Sequence, residues 1–131
     1  MKEKKFEKLI NEIQTFMWLD NWVVTYDFEE LSDNIDAQCV SILYSYFKAH
    51  IDFDKKLLKD TDDYIIHVIF HEFSHIYTSQ WLEIYENEAD FIKGSMWNNW
   101  YLHIKDKMVI VNEQQTEFLA RRFKELYLKS K

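Results

Sequence analysis

The sequence predicts an α+β domain: an N-terminal helix, a small mixed three-stranded sheet, a central helix and helices towards the C-terminus. Three observations predict it. Apolar residues recur at helical spacing near both ends of the chain. β-branched and aromatic residues concentrate between positions 22 and 53, and a capped apolar run comes after them. A chain of 131 residues fits a single domain over 1–131, long enough to bury a core without disulfides or other staples.

Over residues 3–18, Phe6, Leu9, Ile10, Ile13, Phe16 and Met17 make the stripe of an amphipathic helix. After Asp20-Asn21, the run Trp22 to Phe28 is dense in strand formers, and the polar stretch Glu29 to Asp36 reads as a turn. Ala37 to Phe47 reads as a second strand, with Cys39, Ser41, Leu43 and Ser45 on one face and Val40, Ile42, Tyr44 and Tyr46 on the other. A short third strand covers Ala49 to Phe53, and a charged loop covers Asp54 to Asp60. Thr61, Asp62 or Asp63 can cap a helix that runs at least to Thr78. Residues 81–104 mix Trp, Tyr and Phe with charges at roughly helical spacing, with Gly94 as a break, and a final helix covers about Val111 to Leu128. One Gly and no Pro leave Asn, Asp and charged clusters to mark the turns.

Composition excludes several function classes. A net charge of −7 argues against nucleic-acid binding, which depends on Lys and Arg displacing counterions from phosphates. The basic residues at the two ends read as solvated faces. No apolar run approaches the ~20 residues of a membrane span, and the charged N-terminus is no signal peptide. The expectation is therefore a cytoplasmic protein with no membrane partner. The one cysteine, Cys39, allows neither an internal disulfide nor a site of paired thiolates, and reads as a small buried hydrophobe.

The chemistry concentrates in His67-Val68-Ile69-Phe70-His71-Glu72-Phe73-Ser74-His75, which contains one H-E-x-x-H match. On a helix the i, i+4 spacing places His71 and His75 one turn apart on one face, so two imidazoles can converge on one ion. Glu72, about 100° round the helix from His71, can reach a water on that ion, where a general base is needed. The motif lies in an apolar helix, where two histidines and a glutamate are costly unless something compensates them. Imidazole with carboxylate suits Zn2+, although other transition metals accept the same donors.

A catalytic zinc takes three protein ligands and keeps a position open. Downstream candidates for the third are Glu83, Glu86, Glu88, Asp90, His103, Glu113 and Glu117. Glu86 comes too soon after His75 for the chain to turn and return easily. In the last helix Thr116, Leu119, Ala120, Phe123, Leu126 and Tyr127 define an inward stripe. Glu113 lies about 60° from its centre and Glu117 about 100°. Glu113 is thus the deeper residue and the preferred ligand, with Glu117 accepting the other N–H of a ligating histidine; the reverse assignment stays open. His67, one turn before His71, suits a supporting hydrogen bond. His103, beside Tyr101, could polarise a substrate carbonyl.

On these residues the chain resembles the small metallopeptidases of phages and prophages, within the gluzincin-like zincins. The likeness covers roughly residues 20–128. It rests on a strand opening at Trp22-Val23-Val24, the short strand His50 to Phe53, the helix with HVIFHEFSH, and Glu113 to Arg121, similar to an E-x-x-x-E-x-x-A-R helix. Ser74 stands where such proteins often carry Gly or Ala, and Thr116 where a small apolar residue is common. The resemblance implies a zincin fold and a metal site but supplies no substrate. In a zincin the edge strand borders the cleft and can pair with an extended peptide, and His50 to Phe53 is the natural candidate for that edge. The expected function is zinc-dependent hydrolysis of a peptide or protein substrate, with Glu72 as base. The alternative is a metal-holding scaffold that acts non-catalytically by contacting another protein, for which Trp81 to Tyr101 could supply an aromatic surface.

Overall fold

Phe6, Leu9, Ile10 and Ile13 lie on one side of the first helix, α1 (Glu3–Phe16), and all four are buried. The computed structural model in which they are seen describes residues 1–80, 82–84 and 98–131, with backbone alone for 98–102. The helix stops two residues short of the sequence expectation because Trp18 adopts a left-handed conformation, φ 57°. Trp18 N–H then bonds to the Thr15 carbonyl and Leu19 N–H to the Gln14 carbonyl, which satisfies carbonyls that α1 leaves open at its end. Leu19, 1% exposed, is carried back into the core by this turn.

Three strands come next: β1 (Val23–Glu29), β2 (Ala37–Leu43) and β3 (Lys48–Asp54). The sheet order is β1-β3-β2, with β1 parallel and β2 antiparallel to β3. The expectation for the second strand needs two corrections. It ends at Leu43 rather than Phe47, because Tyr44–Tyr46 form a 3-10 turn and Phe47 is left-handed at φ 51°. That turn lets Leu43 pair with Lys48 across a hairpin. The expected two-face alternation also breaks, because the register shifts between Cys39 and Ser41. The extra residue at this bulge reverses the facing of the residues after it, so Ala37, Cys39 and then Ile42 turn towards the core while Ser41 and Leu43 are exposed. The expected edge strand is a third correction. His50 to Phe53 lie in the central strand, between β1 and β2, and Ala49, Ile51 and Phe53 are buried on the face that packs into the core with α1 and the helix that follows the sheet. β2 is the edge.

Leucines of the 3-10 segment Lys55–Lys59 lead into α2 (Asp62–Thr78). Thr61 caps it, its hydroxyl accepting from Tyr64 N–H at 3.3 Å, with Asp62 and Asp63 in the positive first turn. Ile65, Ile69, Phe70 and Phe73 are fully buried, joining the α1 and β3 residues in one core cluster. The last helix, α3, spans Asn98–Lys129 and is far longer than the expected 111–128. No Gly or Pro interrupts that span, so the helix extends back into the segment that showed helical spacing. Its inward stripe is Asn112, Thr116, Ala120 and Tyr127; Leu126, expected inside, is 58% exposed. Thr116 and Thr78 share a 2.6 Å hydroxyl contact where α3 crosses α2. Ser74 is equally buried and donates to the Phe70 carbonyl at 2.7 Å, so neither departure from the resembled pattern leaves a hydroxyl unpaired. No helix among the described residues is long and apolar enough to cross a membrane.

Candidate metal centre

Two helices and one strand edge build the site. His71 and His75 stand one turn apart on α2, ring centroids 5.0 Å apart. Glu113 projects from α3 between them: one carboxylate oxygen lies 3.4 Å from His71 Nε2, the other 3.3 Å from His75 Nε2. Ligand atoms of the three lie within 4.8 Å of one another, close enough to hold a metal ion. The helix spacing and the α2–α3 crossing at Thr78 and Thr116 produce this convergence.

Each imidazole is fixed from behind. Glu117 accepts from His71 Nδ1 at 3.0 Å, and its other oxygen meets His67 Nε2 at 3.2 Å and Arg121 Nε at 2.7 Å. His75 Nδ1 lies 3.4 Å from the Ser79 hydroxyl, which Asn112 contacts at 3.3 Å. Both rings therefore turn Nε2 inward, the arrangement a ligating histidine needs to hold its tautomer. Desolvation alone would raise the Glu117 pKa, but the Arg121 and His71 hydrogen bonds and the nearby imidazoles outweigh it and hold the carboxyl below its usual range. Burial lowers His75, with the neighbouring His71 adding to the effect against the pull of Glu113, so its imidazole favours the neutral form that can coordinate.

Glu72 is 5% exposed and faces the edge strand. Burial pushes its pKa up to about 7, and the nearby Glu113 adds to this; the charge of His71 and a hydrogen bond from the Cys39 backbone N–H act against it. One carboxylate oxygen, Oε2, is buried without a partner among the described residues. Such an atom is costly unless a ligand or water completes it. Cys39, beside it in β2, has its thiol pushed up to about 12, first by burial and then by Glu72.

An open cleft of about 570 Å3 runs between β2 and the two helices, lined by Cys39 and Tyr44 on one side and by Glu72, His75, Glu83 and Glu113 on the other. A smaller hollow continues it past Glu72 towards Asp36, His67 and Glu117. The expected depth order of the two glutamates is reversed. Glu113 is 53% exposed and Glu117 31%, because Glu113 reaches into the open cleft while His67, His71 and Arg121 cover Glu117. His103 is exposed, and ten residues before Glu113 on one helix puts it about 15 Å away along the axis. The structure does not bring it to the cluster. The Tyr101 side chain, Trp81, and Glu86 to Asp90 lie outside the described residues.

Sequence reasoning missed Ser79, Asn112 and Tyr44. Ser79 had a signal, standing one turn after His75; Tyr44 had none, since its place depends on the 3-10 turn. A separate group, Asp27, His50 and Asp52, lies on the outer face of the sheet, with His50 Nε2 3.4 and 3.1 Å from the two carboxylates and Nδ1 2.7 Å from the Thr25 hydroxyl. It ties β1 to β3. No family model, curated protein or solved structure matches this chain.

Proposed function

We propose that this chain is a small zincin-type peptidase, hydrolysing peptide bonds at a zinc site formed by His71, His75 and Glu113. The observation that carries the reading is the meeting of the two Nε2 atoms on the two oxygens of Glu113, beside the buried, partnerless Oε2 of Glu72. The donor set fits the metal: two imidazoles and one carboxylate are donors zinc accepts, and three protein ligands would leave a position open. When bound, zinc supplies Lewis acidity, which acidifies water and polarises a carbonyl. Glu72 takes the proton of the attacking water through its free oxygen and passes it to the leaving amine. Glu117 and Ser79 hold the two imidazoles in register, and Glu117 adds the negative charge that makes His71 a stronger donor. A peptide suits the cleft because β2, which lines it, is an edge strand with no strand among the described residues paired on that side, where an extended chain can add.

Glu72→Gln separates the catalytic reading from the scaffold alternative. The variant should keep zinc, since Glu72 is not a ligand, and lose peptide hydrolysis by at least about a hundredfold. Equal turnover in wild type and variant would sink the mechanism.

A further inference from the structure

The described residues lining the cleft and its extension include no lysine or arginine. Three carboxylates line the cleft itself. Two have assigned work in the hydrolytic reading: Glu113 with the histidines and Glu72 with water. Glu83 is left over. It is exposed at the end of the cleft beyond His75, and no described residue pairs with its carboxylate. Opposite stands Tyr44, whose hydroxyl is buried without a partner among the described residues. Trp22 holds the Tyr44 ring edge-on, centroids 5.7 Å apart and planes at 88°, so the phenol is fixed rather than swinging. Burial first, and the charge of Glu83 after it, oppose ionisation of that phenol. The Glu83 carboxylate and the Tyr44 ring line one cleft, with the phenol oxygen buried at its wall, a combination suited to a cation that can donate several hydrogen bonds. The orphan Oε2 of Glu72 marks the same cleft as one that takes a ligand.

We propose that the cleft selects peptides carrying a lysine or arginine beside the scissile bond, held by the Glu83 carboxylate and the Tyr44 hydroxyl. The inference rests on the hydrolytic reading and assigns its substrate class. An acidic side chain at that position would meet the Glu83 carboxylate with the same sign and be rejected.

The test uses the full chain loaded with zinc and a panel of peptides identical except at the two positions flanking a fixed bond, which carry Arg, Lys, Leu or Glu. Products are identified by mass spectrometry. At one of the two positions Arg and Lys should exceed Leu in kcat/KM by about tenfold, the effect of one charge-assisted hydrogen bond at a partly solvated site, and Glu should be the poorest. E83Q should remove most of the preference and E83K should invert it, favouring Glu over Arg. Glu83 is exposed, so neither change threatens folding. Cleavage without a basic preference, or a preference that survives E83K, overturns this inference and leaves the hydrolytic reading standing. If no peptide is cleaved by protein shown to carry zinc, the hydrolytic reading fails and the inference fails with it.

Discussion

Glu72→Gln should make the metal-free protein more stable while removing its activity. Glu72 is almost wholly buried, and its pKa rises from 4.5 to about 7. Below pH 4.5 the carboxyl is protonated in folded and unfolded chains alike, and burial carries no charge penalty. Between 4.5 and about 7 the folded chain binds more protons than the unfolded one, so stability falls as pH rises; above about 7 the penalty is complete. At ~1.4 kcal/mol for each pH unit, its full size is about 3 kcal/mol. Glutamine keeps the shape and still accepts from Cys39 N–H, but never ionises. The variant should therefore match wild type near pH ~4 and exceed it by about 3 kcal/mol at pH ~8, or roughly 10 °C in melting temperature for a chain of this length. Urea unfolding of EDTA-treated proteins across that range measures the difference directly. A gain independent of pH, or none at pH ~8, would refute the reasoning, because both would mean that Glu72 is not a buried carboxylate.

Other perturbations test the supporting parts. Glu117→Gln should weaken zinc binding by about 10- to 100-fold without abolishing it, since it orients His71 from behind; competition with a chelating dye would show the change. Cys39 should resist iodoacetamide near pH ~8 in the native protein and react readily in urea, because a thiol pushed up to about 12 holds almost no thiolate. Equal rates in both states would refute this. Asp54 accepts from Lys56 N–H and Leu31 N–H at 2.8 Å each, and the Lys56 bond leads in holding its pKa below the usual value. Asp54→Ala should destabilise the fold at neutral pH, and the gap from wild type should close as pH falls through the carboxylate range. A gap constant with pH would place the effect elsewhere.

Much of this arrangement is legible in the sequence, and the parts that are not share a cause. α1 and α2 follow from apolar periodicity and from Thr61-Asp62-Asp63, and the positions of His71, Glu72 and His75 follow from helix geometry. Glu113 and Glu117 follow from the stripe on α3, although angle from the stripe gave their depths in the wrong order. A helical angle describes a straight rod and takes no account of the cleft that opens beside Glu113. The turns were harder. Among the described residues Trp18 and Phe47 are left-handed, and neither is a residue type that marks such a position, so local pattern places the end of α1 late and does not reveal the β2–β3 hairpin. Tyr44 depends on that hairpin and was invisible for the same reason. Sheet order was also hidden, since the parallel β1–β3 pairing places β3 at the centre by long-range contacts that no local pattern encodes.

Zinc stoichiometry measured by equilibrium dialysis and elemental analysis tests the central claim most directly. The account predicts one zinc per chain in wild type, in Glu72→Gln and in His50→Ala, and loss of that ion in His71→Ala, His75→Ala and Glu113→Ala. Wild type without zinc, or undiminished binding in Glu113→Ala, would contradict it.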